Sequence, residues 1–189
     1  MGLYLPVWDD MLGDISQGIG TAALTYEAYP SGASYLAYHF QHNQNDSLSM
    51  RYQLPHRWKR GSDVKLHIHF IPAADPAGSE DIYFNGRYAW AKVGTAVAAW
   101  ASWTTFNATH SVAPGDVDKP VIKALTTISP PSSPLESMFL LVWLERNSGA
   151  SDTYTTNKAY GTSQANVVLL GLDVHYQSSK LGTKDEIPT

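Results

Sequence analysis

The sequence predicts an all-β fold: an antiparallel two-sheet sandwich, jelly-roll-like, with an extended N-terminal arm and an extended C-terminal tail. Three observations carry this expectation. Short segments in which apolar and polar residues alternate recur along the chain, roughly eight to ten of them, separated by Gly, Pro, Ser and Asn turns. The composition is 43% hydrophobic and 12% aromatic, with six Trp and eleven Tyr, which suits pleated, half-buried surfaces. Hardly any stretch repeats its apolar residues at helical spacing. A strand with one apolar face must bury it against a second layer, and a jelly-roll-like sandwich is the common solution at this strand number.

With 189 residues the chain suits one domain with appendages. We place an arm at 1–20, the sandwich at 21–176 and a tail at 177–189. The 13 Lys and Arg against 17 Asp and Glu leave a net charge of −4, so no nucleic-acid surface is expected. The absence of cysteine excludes disulfides, thiolate metal sites and a cysteine nucleophile. The longest apolar run, 138–144, is far short of the roughly 20 residues that a membrane helix needs. No basic, apolar leader is visible, and we expect a protein that folds in a reducing cytosol without a membrane partner.

Taken in order, Trp8-Asp9-Asp10-Met11 reads as the start of a short helix capped by Asp9, inside a segment loosened by Gly13, Gly18 and Gly20. This arm is expected to dock on the body or on a neighbouring subunit. Leu24, Tyr26 and Ala28 alternate with Thr25 and Glu27 up to a turn at 30–32. Residues 34–40 form a second strand candidate, closed by a polar turn at 42–46. The clearest alternation is 47–54, where Leu48, Met50, Tyr52 and Leu54 face in. In 64–72, Val64, Leu66, Ile68 and Phe70 share one face, and Lys65, His67 and His69 the other. Residues 81–92 put Ile82, Phe84, Tyr88 and Trp90 together. The Ala-rich stretch 93–103 could form a helical turn, but the β-type residues after it favour strand and turn. Strands follow at 121–128 and at 138–144, the latter apolar on both faces and expected to be the most buried. A polar loop at 147–161 leads to the last strand, 166–176. There Val168, Leu170, Leu172, Val174 and Tyr176 face one way, and Asp173 and His175 the other.

The sharpest chemical feature is His67-Ile68-His69, two imidazoles on one strand face. Gly61 and the two histidines form G-x5-H-x-H, the opening of the cupin metal motif. A glutamate should follow within a few residues, but the nearest is Glu80, beyond a loop. His175, with Asp173 on the same face, is the remaining candidate ligand, and a His67/His69/His175 site would suit zinc, nickel or iron in a cupin-like metalloenzyme. The competing expectation, which we favour here, is a hydrogen-bonded histidine face packed against aromatics or a subunit, with no metal and no other cofactor.

The turn carrying His56, Arg57, Trp58, Lys59 and Arg60 could hold phosphate or a glycan, or contact an acidic partner. No Gly-rich phosphate loop and no G-x-S-x-G elbow occurs. Glu27, Glu80, Asp81, Glu136 and Glu145 could supply a glycosidase-like carboxylate pair only if the fold brought two of them together. Exposed Trp and Tyr on a sandwich also suit stacking on sugars, which makes a carbohydrate-binding module for host-surface glycans the alternative function.

Several motifs together resemble a family. Trp8-Asp9-Asp10-Met11, Leu54-Pro55-His56, His67-Ile68-His69-Phe70-Ile71-Pro72, Asp152-Thr153-Tyr154, Leu172-Asp173-Val174-His175-Tyr176 and Leu181-Gly182-Thr183-Lys184-Asp185-Glu186 occur in this order. The order and spacing resemble a family of poorly characterised virion-associated proteins of tailed bacteriophages. Lys65-Leu66 stands where that family tends to carry proline before the first His, and Thr183 where it tends to carry Ser. The resemblance implies a virion structural protein and no enzyme: a capsid decoration (cement) protein, or a neck or tail-fibre component. It implies assembly in the host bacterial cytoplasm, with the major capsid protein or neck and tail proteins as partners. Sandwich proteins of this kind are commonly symmetric homo-oligomers, and a trimer is the expectation.

Overall fold

The computed structural model describes residues 7–13, 19–20, 23–28, 34–41, 45–134, 138–147, 149, 151–155 and 165–179. The expected turn at 30–32, Glu136 and the motif at 181–186 lie outside these residues, as does part of the expected turn at 42–46.

Two antiparallel sheets form the body, as the alternation predicted. In chain order the strands are β1 (Val7–Leu12), β2 (Ile19–Gly20), β3 (Ala23–Ala28), β4 (Ser34–Phe40), β5 (Ser47–Gln53) and β6 (Val64–Pro72). They continue with β7 (Glu80–Ala91), β8 (Thr104–Val112), β9 (Val121–Ile128), β10 (Phe139–Arg146) and β11 (Val167–Ser178). The first sheet runs β3-β4-β11-β6-β9, and β1 also pairs with β11. The second runs β2-β5-β10-β7-β8. β11 is long enough to pair with β4 through 167–169 and with β1 through 173–178 on the same edge.

The core lies between the sheets. Val64, Leu66, Ile68 and Phe70 of β6 meet Leu48, Met50 and Tyr52 of β5 and Leu140, Val142 and Leu144 of β10, all buried. Phe84 sits edge-on to both Phe40 and Phe70, at centroid distances of 6.4 and 5.7 Å. This is the favoured geometry for packed rings. The Tyr52 hydroxyl crosses the interface and donates to the Leu172 carbonyl at 2.7 Å.

Several expectations are corrected. Residues 7–12 are a strand, not a helix: β1 has an open edge of β11 to pair with, and six residues are too few for a stable helix without such support. Residues 93–99 run as turns and irregular chain into a single 3-10 turn at Trp100–Ser102, with no strand before β8. β10 is not buried on both faces. Leu140, Val142, Leu144 and Arg146 point inward, while Phe139, Leu141 and Trp143 are half-buried outside. In β11 a bulge between Leu169 and Gly171 shifts the alternation. Val167 and Leu169 join the core, Val168 moves to a small outer cluster with Ala37 and Ile71, and Leu170 is exposed. One extra residue in a strand reverses every side chain before it relative to those after.

The polar loop before β11 also has a structural role. Arg146, fully buried, places its Nε 2.8 Å from Asp152 Oδ2 and its Nη2 2.9 Å from Asp152 Oδ1. Its remaining N–H groups reach the carbonyls of Phe40, Ala165 and Tyr154. The Tyr154 hydroxyl in turn donates to the Ala74 carbonyl at 2.6 Å and accepts from the Ala74 amide at 2.7 Å.

Candidate functional site

The outer face of the first sheet gathers the chemistry. On β6 the outward residues are Lys65, His67 and His69; on β11 they are Asp173, His175 and Gln177. The antiparallel register sets His67 opposite Asp173, Lys65 opposite His175 and His69 opposite Gly171. β1 adds Asp10 opposite His175 and Trp8 opposite Gln177. An H-x-H segment and a D-x-H segment, paired in this register, therefore deliver all four groups to one patch.

At its centre is Asp173, only 1% exposed. Its Oδ2 lies 2.9 Å from His175 Nε2, and its Oδ1 lies 3.0 Å from His69 Nε2. His175 Nε2 is also 3.0 Å from Asp10 Oδ1 at the rim. The His67 and His175 rings meet edge to face with centroids 4.1 Å apart. Burial, then the neighbouring His175, lowers the His67 pKa and favours its neutral form. The short His69–Asp173 distance does not make a directed hydrogen bond: His69 Nε2, Asp173 Oδ1 and His67 Nδ1 are all buried without a hydrogen-bond partner. Donor atoms of His67, Asp173 and His175 all lie within 4.8 Å of one another.

Beside this patch the same face opens into a groove of about 400 Å³. Trp8, Lys65, Thr127 and Gln177 form its floor and wall, and the 59–63 turn forms its rim. The turn is built by Gly61, at a φ of +85° that an L side chain resists. It is pinned by two bonds from Ser62, its amide and hydroxyl both donating to the Lys59 carbonyl. The Lys59 amide donates to the Gln177 carbonyl at 2.6 Å, which ties the rim to the end of β11. Lys59, Arg60 and Lys65 bring three cations to the groove against one carboxylate, Asp63. Trp8 is 43% exposed, with Lys65 Nζ over its ring at 4.6 Å from the centroid.

The expected basic cluster is thus divided. Lys59 and Arg60 face the groove. Arg57 is engaged instead in structure, its Nε donating to the Tyr176 hydroxyl at 2.7 Å and its Nη2 lying 2.6 Å from Asp9 Oδ2. Trp58, 5% exposed, belongs to the core and stacks on Trp90 at 6.1 Å. His56 is half-buried at the start of the turn. Of the candidate acids, the three with described side chains have structural partners: Glu80 accepts from the Thr155 amide, Asp81 from the Ser111 hydroxyl, and Glu145 bonds with Asn85.

Two features escaped the sequence reading. Trp8, expected at a helix start, lies instead on β1 opposite Gln177 and lines the groove with it. On the opposite sheet Trp100, 47% exposed, packs against Trp103 and Trp143 with Arg87 over its ring, a second aromatic surface.

No family model and no curated protein matches the sequence. Solved structures are similar in fold. The CBM36-1 domain of a multidomain xylanase from the hindgut metagenome of Trinervitermes trinervoides gives a TM-score of 0.38 at 7% identity, over 88% of this chain and 96% of that one. A CBM35 from Cellvibrio japonicus gives 0.40 at 12%, over 90% and 99%. The CBM22 tandem from Paenibacillus barcinonensis gives 0.45 at 13%, over 88% and 47%. In two larger enzymes, a GH115 glucuronidase and a GH26-CBM35 mannanase, the chain spans 18% and 30% of the whole. The likeness is one of fold, and it is to binding modules in the cases matched over nearly their full length. It corrects the expectation of a bacteriophage virion structural protein, whether decoration, neck or tail-fibre component: these similar structures are carbohydrate-binding modules and none is a virion protein.

Proposed function

We propose that this chain is a non-catalytic carbohydrate-binding module whose ligand is a glycan bearing acidic sugars, bound in the Trp8 groove. The observation that carries the reading is the groove itself. It joins an exposed indole to three cations and several hydrogen-bonding side chains in one concavity, on a chain whose net charge is −4. A sugar ring is amphipathic in the same way. Its C–H face stacks on an aromatic, while its hydroxyls need donors and acceptors at the rim. Lys59, Arg60 and Lys65 add a preference for carboxylates.

Isothermal titration with oligosaccharides of uronic acids, set beside neutral oligosaccharides of equal length, tests this. The acidic ligands should bind more tightly, and the difference should shrink with added salt. Trp8→Ala should weaken binding roughly tenfold, on the scale of a lost aromatic contact. The paired substitution Lys59→Ala with Arg60→Ala should abolish the acidic preference. If Trp100→Ala removes binding while Trp8→Ala leaves it intact, the ligand lies on the other sheet and the groove is misassigned. Absence of binding to both classes would overturn the function.

A further inference from the structure

The Trp8 groove makes no use of the histidine patch beside it, and we propose that this patch is a divalent transition-metal site, with His67, Asp173 and His175 as protein ligands. The first support is geometric. One donor atom from each of the three residues lies within 4.8 Å of the others, on two adjacent strands of a rigid sheet. Donors arranged tetrahedrally about 2.0–2.1 Å from a zinc-sized ion stand about 3.3 Å apart, so a small turn of the side chains closes the set.

The second support is independent of spacing. Asp173 is 1% exposed, yet its Oδ1 has no hydrogen-bond partner, although an imidazole nitrogen stands 3.0 Å away. His67 Nδ1 is likewise buried and unpaired. A hydrogen-bonded histidine face, the expectation from sequence, would align N–H groups with these acceptors, because buried polar atoms are nearly always paired. His175 Nε2 bonds the other oxygen, Asp173 Oδ2, at 2.9 Å, so the unpaired atoms are Asp173 Oδ1 and His67 Nδ1, and a cation bound at the patch would satisfy them.

Ligand chemistry narrows the ion. Two imidazoles and one carboxylate suit zinc and its neighbours cobalt and nickel, whereas calcium and magnesium take oxygen shells. The three protein ligands leave a fourth position. Asp10 Oδ1, 3.0 Å from His175 Nε2, stands beside it on the exposed strand β1. His69 Nε2, 3.0 Å from Asp173 Oδ1, needs only a small turn to donate to the carboxylate, and in the metal-bound site it is a positioning residue for that ligand.

The test uses the whole chain, stripped with chelator and titrated with zinc by calorimetry, with cobalt as a spectroscopic stand-in. We expect one equivalent to bind, a rise in melting temperature that EDTA reverses, and the visible absorption of tetrahedral cobalt. His67→Gln and His175→Gln should each weaken zinc binding at least 100-fold, while His69→Gln should keep the stoichiometry and weaken affinity by roughly 10–100-fold. Far-UV circular dichroism of the metal-free variants checks that they fold. Should one fail to fold, the cobalt spectrum of the unsubstituted protein still decides. No heat of binding and no zinc-dependent shift, or binding unchanged in both His67→Gln and His175→Gln, would overturn the proposal. Glycan titrations with and without EDTA keep its outcome separate from that of the groove.

Discussion

The buried ion pair of Arg146 and Asp152 offers the most quantitative test of how this sandwich is held. Asp152→Asn preserves shape while removing the negative charge. It leaves a fully buried guanidinium without its bidentate carboxylate partner, with the buried Asp46 as the remaining nearby acid, and it replaces one acceptor by an amide NH2 that faces other donors. Breaking one side of such a pair costs about 3–5 kcal/mol. In a domain of this size each kcal/mol moves the melting temperature by about 2–4 °C, so a fall of about 6–20 °C is expected. Calorimetry at pH 7, with urea denaturation to confirm an unchanged m-value, measures it. The companion double variant Arg146→Met with Asp152→Leu separates charge from scaffolding. Arg146 also satisfies the carbonyls of Phe40, Ala165 and Tyr154, and Asp152 Oδ2 accepts from the Tyr83 amide at 3.3 Å. Apolar replacement strands these groups, so the double variant should recover only part of the loss. A fall of less than about 3 °C for Asp152→Asn, or a double variant as stable as the parent, would refute the reasoning.

Two further outcomes follow from burial. Leu140→Ala should cost about 2–5 kcal/mol, whereas Leu141→Ala, one residue along on the half-buried outer face, should cost about 1 kcal/mol; chemical denaturation midpoints at constant m-value compare them. At high pH, Tyr52 and Tyr154 should destabilise the fold, because burial raises the pKa of both hydroxyls, with the Asp173 charge adding to the effect at Tyr52. The unfolded chain loses these protons near pH 10 while the folded chain keeps them. The stabilising contribution is therefore complete below about pH 10 and falls above it, by up to about 1.4 kcal/mol per pH unit for each tyrosine. Melting curves from pH 8 to 11 should show the decline, and Tyr52→Phe should make it shallower.

The sandwich was legible because its strands are amphipathic and period-two alternation survives any topology. Ser47–Gln53 and Val64–Pro72 were plain in the sequence for that reason. The convergence of His67, Asp173 and His175 was half legible: each residue's face could be read, but their meeting depends on the β6–β11 register, which no local signal encodes. The bulge at Leu170 was hidden because an apolar residue satisfies either face. Residues 7–12 misled because Asp9 imitates a helix cap, while the partner edge that makes them a strand lies at the other end of the chain. The role of Arg146 was invisible, since an arginine at a strand end reads as solvent-facing until three distant carbonyls are found around it.

The position of β11 has a consequence for how the molecule is made. It bonds to β1, β4 and β6, and among the described strands it is the last to leave the ribosome. Until it arrives, β6 lacks one neighbour, and β1 has nothing to pair with. The first sheet therefore assembles from its ends toward a late central strand, across sequence separations from 95 residues for β6 to 171 for β1, the kind of connectivity that folds in milliseconds to seconds. A stall or nick anywhere before β11 would leave hydrogen-bonding edges open on the nascent chain, the condition that favours strand exchange between molecules and aggregation.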